Sequence, residues 1–197
     1  AHTAWLEKGV NAIVAAGKII GRLQDLAEKV NKRSHPLTGF SRMSINMIQG
    51  GDKINVLPDK CVLTIDRRVT PAENYDDATR EIQEVLDGLK REDPRMNLEL
   101  ITRRDKPPVA SDPNSKIAQI LKSAAEEITG RKTVVTGSSG SSDYAWYVNI
   151  LKKPSACYDA STAEGRAHGI NEYAKVPDLV STAKVYALAI MRYLGTV

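Results

Sequence analysis

Met43-Ser44-Ile45-Asn46-Met47-Ile48-Gln49-Gly50-Gly51-Asp52-Lys53 switches the chain to a period of two, with Met43, Ile45 and Met47 on one face and Arg42, Ser44 and Asn46 on the other. Such alternation suits a strand with one buried face. Gly50-Gly51-Asp52-Lys53 supplies turn residues, and from Ile54 to Val69 the alternation resumes with Cys61, Leu63 and Ile65 on one side, so a β-hairpin is expected. Upstream, Val10, Ile13, Val14, Gly17, Ile20, Leu26 and Val30 recur at helical spacing and predict a helix over about 9–32, ended by His35-Pro36-Leu37-Thr38-Gly39. Downstream, Ala78, Ile82, Val85, Leu86 and Leu89 predict a second helix over about 75–92, closed by Pro94, and Met96, Leu98 and Leu100 predict a further strand. The order is helix, strand, strand, helix, strand. With one strand ahead of residue 1 it becomes a ferredoxin-like βαββαβ unit.

Lys106-Pro107-Pro108-Val109-Ala110-Ser111-Asp112-Pro113 breaks both periodicities and predicts a domain boundary, giving domains at 1–106 and 107–197. Beyond it, Ile117, Ile120, Leu121 and Ala124 predict a helix that runs to Gly130. A short strand at Thr133–Thr136, a Gly/Ser turn into another helical stretch and an extended piece near Ala156–Tyr158 follow. A polar loop holds His168, and Ala183, Ala187, Ile190 and Leu194 mark a C-terminal helix. This alternation belongs to an α/β layer with too few strands to close a sheet.

The 197 residues, 42% hydrophobic and 26% charged, are those of an ordinary globular chain. No apolar run approaches the roughly 20 residues needed to cross a bilayer, and no secretory pattern stands at the start, so a soluble, cytoplasmic protein without membrane contact is expected. Residue 1 is Ala rather than Met, which leaves room for an upstream portion. The two cysteines, Cys61 and Cys157, lie far apart in apolar surroundings and read as buried free thiols. A formal charge of +4 is spread along the chain, which suits solubility or acidic substrates better than nucleic acid.

His168 sits beside glycine in a polar loop, which leaves both an exposed loop histidine and a metal-ligating or catalytic one open. His2, at the start, reads alone as a terminal residue, and His35, before Pro36, as part of a turn. Thr136-Gly137-Ser138-Ser139-Gly140-Ser141-Ser142-Asp143 offers amides and hydroxyls to an anion or carboxylate, but lacks the lysine of a phosphate loop, and taken by itself reads first as a flexible turn with an N-cap. Asp66-Arg67-Arg68, at the end of a predicted strand, is either a solvated charge cluster or an arginine aimed at a carboxylate, for which its planar fork is shaped.

Taken together, these stretches resemble one family. His2 through Gly9-Val10-Asn11-Ala12-Ile13, Asn55-Val56-Leu57-Pro58, Asp66-Arg67-Arg68, Gly140-Ser141-Ser142-Asp143 and Ala167-His168-Gly169-Ile170-Asn171-Glu172 stand in the order and approximate spacing of the acetylornithine deacetylase, succinyl-diaminopimelate desuccinylase and carboxypeptidase G family of zinc metallo-hydrolases. The resemblance covers the whole chain and about the second half of a family member. It implies a ferredoxin-like lid and dimerisation domain at 1–106, less its first strand, followed at 107–197 by the end of a zinc-peptidase-like α/β catalytic domain.

Carried over residue by residue, the resemblance makes His168 a ligand of a two-zinc centre, with cobalt an alternative metal. His2 becomes the lid histidine that stabilises the oxyanion in the partner subunit's site, where a donor acts on rate because the charge develops only in the transition state. Asn55, Arg68, Gly140, Ser141 and Ser142 become substrate contacts, Arg68 pairing with a carboxylate. The implied chemistry is hydrolysis of an N-acyl amino acid or short peptide by a water activated between two zinc ions about 3.5–4 Å apart. The remaining zinc ligands and the catalytic glutamate would precede residue 1, so the chain alone is expected to be inactive without that missing N-terminal half. Leu6 stands where the family has proline. The alternative is a non-catalytic dimerisation and binding module, the homodimer forming through the lid. RNA binding is a third possibility, weakened because the predicted strands carry no aromatic residue beyond Phe40 at an edge.

Overall fold

The structure, a computed structural model, describes residues 9–104, 106–137, 142–159 and 169–196. These fall into two compact units, one comprising the described residues up to Pro108 and the other those from Val109 onward.

In the first unit, α1 (Ala12–Val30) starts at Asn11, whose side-chain oxygen accepts from the amides of Ile13 at 3.0 Å and Val14 at 3.2 Å. Its buried face is Ala15, Ala16, Leu23, Ala27 and Val30. Ile13 and Val14, expected on that face, are 42% and 59% exposed, because the alanines occupy the inward positions of the first turns. At the other end, the Asn31 side chain accepts from the Met43 amide at 2.8 Å, pinning the start of a strand to the helix terminus.

The chain then forms a two-residue pair, β1 (Ser34–His35) with β2 (Gly39–Phe40), where the sequence predicts only a helix stop. His35 shapes this turn, its Nδ1 accepting from the Leu37 and Thr38 amides at 3.3 Å. Gly39 has φ +78, which a side chain would strain.

The expected hairpin is β3 (Arg42–Gly50) antiparallel to β4 (Cys61–Arg68), running from Arg42 opposite Arg68 to Gly50 opposite Cys61. Two details differ from the sequence reading. The connection is residues 51–60, not a four-residue turn. A bulge between Ile45 and Met47 inserts Asn46, so Met47 pairs with Thr64 and leaves the face of Met43 and Ile45. Met47 is accordingly 52% exposed while Met43 is 3% exposed.

Helix α2 (Tyr75–Glu92) is capped by Asn74, places Asp76 and Asp77 in its first turn and Lys90 and Arg91 in its last, and buries Ala78, Ile82, Leu86 and Leu89 as its spacing predicts. Leu23, Val30, Met43 and Ile82 form the centre of the core between α1, α2 and the hairpin.

The strand predicted over Met96, Leu98 and Leu100 is not a ladder strand. Those residues alternate in burial and pack on the core, Met96 against Ala15 and Leu89, but the segment pairs with no strand among the described residues. Period two reports alternate burial of extended chain, and the ladder is a separate requirement. The first unit thus shows two two-stranded sheets with helices, a mixed α/β arrangement in which the full ferredoxin-like order is not present among the described residues.

In the second unit, α3 (Lys116–Thr129) and α5 (Val176–Leu194) pack through Leu121, Ala124, Ala125, Val185 and Ala189, and both end on glycines in the left-handed region, Gly130 and Gly195. A short α4 (Tyr144–Asn149) lies between them in sequence. The strand expected at Thr133–Thr136 is absent: the Thr133 amide donates to Glu126 Oε1 at 3.0 Å instead of to a neighbouring strand, and Val134 is 81% exposed. At Ala156–Tyr158, the Tyr186 hydroxyl accepts from the Tyr158 amide at 2.8 Å and donates to its carbonyl at 3.0 Å, standing in for a ladder partner. Cys157, between the packed Ala156 and Tyr158, points outward and is exposed, and Cys61 is half-buried, so the thiols are free but not buried. Among the described residues no helix is long and apolar enough to cross a membrane.

Candidate functional site

The end of β4 where Arg68 lies carries most of the described site chemistry. Alternation puts Arg67 on the same side as Leu63 and Ile65, facing the core, and Asp66 and Arg68 on the outer side. The inward arginine is 9% exposed and needs an anion beside it. It finds Glu73, whose Oε1 accepts from Arg67 Nη2 and from Arg33 Nη1, both at 2.6 Å. The other Glu73 oxygen accepts from the buried Ser41 hydroxyl, which also lies 3.2 Å from the Thr70 hydroxyl. Arg33 further bridges to Glu81 at 2.7 Å. Burial pushes the Glu73 carboxyl up, but hydrogen bonds from Arg67, Ser41 and Arg33 outweigh it and hold it below the usual carboxylate range. Arg33 is raised, first by its hydrogen bond to Glu81 and then by that to Glu73.

Arg68, on the outer face, is 51% exposed and donates from Nε to Asp66 Oδ2 at 3.0 Å. Its two terminal nitrogens make no hydrogen bond among the described residues, so the outer end of the fork is open to a carboxylate. Asn55 lies in a turn closed by the Val56 amide on the Lys53 carbonyl at 3.2 Å, in the connection beyond the far end of β4. About 23 Å of strand separates the two ends of β4, so Asn55 and Arg68 stand at opposite ends of one hairpin. Ser142, in the second unit, precedes α4 and accepts from the Ala145 amide at 3.2 Å. His2, Gly140, Ser141 and His168 lie outside the described residues.

The sequence reading did not single out Arg33, Ser41, Glu73 and Glu81. One signal was available, since the parity that sends Arg68 outward sends Arg67 inward and demands a buried carboxylate. Which carboxylate answers is set by the segment between β4 and α2, which turns back to bring Glu73 to Arg67. Among the described residues no three His, Cys, Asp or Glu side chains converge on a point where a metal could sit. The described donor set therefore does not fit a zinc centre by itself.

Residues 1–94 match the family model of the peptidase dimerisation domain of M20 peptidases. Over 199 residues the chain is 24% identical to the acetylornithine deacetylase of Myxococcus xanthus, covering 98% of this chain and 50% of that protein. Over 196 residues it is 25% identical to the succinyl-diaminopimelate desuccinylase of Nitrosomonas europaea, covering 98% and 48%. Among solved structures, an M20 family metallo-carboxypeptidase from Sulfolobus solfataricus superposes with a TM-score of 0.72 at 15% identity, over 96% of this chain and 54% of that one. A dipeptidase from Saccharomyces cerevisiae superposes with a TM-score of 0.76 at 16% identity, over 98% and 51%. These two show a shared fold. The chain spans about half the length of the curated relatives it matches.

Proposed function

We propose that this chain, which resembles the acetylornithine deacetylase and succinyl-diaminopimelate desuccinylase family and matches the M20 peptidase dimerisation domain over residues 1–94, is part of a zinc-dependent hydrolase. Its substrate is an N-acyl amino acid or short peptide with a free carboxylate. The observation that carries this reading is Arg68, an exposed guanidinium braced on one edge by Asp66 and open at its terminal nitrogens, a shape matched to a carboxylate. The loop at Gly140, Ser141 and Ser142 is a further substrate contact in this reading. Asn55, about 23 Å of strand from Arg68, is too far to share one small substrate with it within one chain and so serves, with the oxyanion-stabilising His2, the site of a partner subunit. His168 is assigned as one zinc ligand.

Because the described residues do not build a metal centre, the other ligands and the catalytic glutamate come from a further portion of the protein in this reading. The exposed apolar surface of the second unit supports such a portion: Val134, Ile150, Leu151, Ile170, Val176 and Leu179 are all more than half exposed. The same reading gives the first unit the ferredoxin-like sheet of a lid, makes 1–106 and 107–197 the lid and catalytic domains, and places the enzyme in the cytoplasm. The decisive test measures bound zinc and release of free amino acid from N-acetyl amino acids, with this chain alone and with the rest of the hydrolase present. Zinc and turnover are expected only in the second case, and full activity from this chain alone would contradict the reading.

A second reading, a non-catalytic dimerisation and binding module, is favoured by the dimerisation-domain match and by Met47, Ile48 and Val62, exposed apolar side chains on the hairpin. A monodisperse, metal-free dimer of this chain, together with no gain of turnover when the remainder is added, would favour it over the first.

A further inference from the structure

Register places Arg68 directly opposite Arg42, on the outer face of the hairpin. Like charges directly opposite are unfavourable, and Arg42 donates to the Asn31 carbonyl at 3.2 Å and lies over the Phe40 ring at 5.1 Å, so it gives Arg68 no support. Asp66 engages only the Nε edge. Beneath the strand, Arg67 supplies the second hold: its Nη1 donates to the Arg68 carbonyl at 2.9 Å while its Nη2 donates to Glu73 Oε1 at 2.6 Å. One planar fork thereby ties the Arg68 peptide to a buried carboxylate. That carboxylate is itself fixed by Arg33 on the same oxygen and Ser41 on the other, and Ser41 is fully buried. The backbone that presents Arg68 is therefore anchored to the chain after α1, to the start of β3 and to the segment before α2.

We propose that Arg67 and Glu73 are positioning residues for Arg68, holding its peptide so that its terminal guanidinium nitrogens meet the substrate carboxylate instead of drifting away from Arg42. This rests on the reading of Arg68 as the carboxylate-recognising residue. Neither Arg67 nor Glu73 touches substrate, and their effect passes through the Arg68 backbone.

The test compares an N-acetyl amino acid with its carboxamide in the hydrolase containing this chain, using Arg68→Gln, Glu73→Gln and Arg67→Lys. Arg68→Gln is expected to raise KM for the acid about tenfold or more while leaving the carboxamide nearly unchanged. Glu73→Gln is expected to raise KM for the acid by about tenfold with kcat within about twofold, again sparing the carboxamide. Arg67→Lys keeps a charge beside Glu73 but lacks the fork that also reaches the Arg68 carbonyl, and should give the same selective rise even where Glu73→Gln folds poorly. If Arg68→Gln is selective for the acid but Glu73→Gln and Arg67→Lys shift both substrates alike or neither, the positioning role is wrong and the carboxylate reading stands. If Arg68→Gln shows no selectivity, the carboxylate reading fails and the positioning role with it.

Discussion

In the first unit the backbone of β3 finds its partner in β4, from Arg42 opposite Arg68 to Gly50 opposite Cys61, and a buried arginine finds a buried carboxylate. In the second unit the Tyr158 backbone bonds to the Tyr186 hydroxyl, Ser155 donates to the Ser111 hydroxyl at 3.0 Å, and the ion pair of Arg192 with Glu127 lies where Glu127 is 58% exposed. The first unit pairs the extended chain of its hairpin and satisfies its inward charges internally, while its Met96–Leu100 segment packs on the core without a ladder partner among the described residues. The second is held by helix packing, with hydroxyl groups replacing ladder partners and apolar side chains left outward. Polar groups are costly only where water is excluded, so the same residue types carry different weight in the two units.

Arg67→Leu breaks this contrast most severely, because it leaves Glu73 buried with one charge partner removed. A loss of about 3–5 kcal/mol in unfolding free energy is expected by denaturant titration. The same cluster sets the acid response. Glu73 titrates lower in the folded chain than unfolded, so its contribution is present above the unfolded value of about 4.3 and fades as pH falls through the lower folded value. Glu73→Gln, though less stable at neutral pH, should therefore lose less on acidification below pH about 4.3 than the parent chain. A Glu73→Gln stability curve with the same acid slope as the parent would refute that assignment.

In the second unit the weight lies on apolar packing. Val185 is fully buried between α3 and α5, and Val185→Ala should cost about 2 kcal/mol, read from the same titration. Tyr186→Phe keeps the ring and removes only the hydroxyl, with an expected cost of about 1–2 kcal/mol. Its specific mark is faster hydrogen exchange at the Tyr158 amide, and unchanged exchange there would show that the hydroxyl does not replace a ladder partner. Arg192→Ala should change stability by less than about 1 kcal/mol, since its partner is largely exposed. A larger loss would erase the difference between the units.

Much of the fold was legible where one residue pattern had one physical cause. The face of α2 and the inward side of β4 follow from burial alone, and both were read correctly from Ala78 through Leu89 and from Cys61, Leu63 and Ile65. Met47 was misplaced because a bulge is a pairing event between strands and leaves no mark in one strand's alternation. Thr133–Thr136 and Met96–Leu100 carry strand-like residues, yet a strand is defined by its neighbour. The candidate site divides the same way. Asp66-Arg67-Arg68 announces a charged strand end, and the parity of Cys61, Leu63 and Ile65, extended two residues further, would sort the two arginines, but the carboxylate awaiting Arg67 is invisible in the sequence.

The sequence by itself determined the helices, the hairpin and the family resemblance, because each depends on spacing along the chain or on an ordered set of short motifs. Only the tertiary structure decided that Arg33, Ser41 and Arg67 converge on Glu73 and that the Arg68 peptide hangs from that cluster. A buried charge is matched by whichever opposite charge folding brings to it, and no periodicity records that choice.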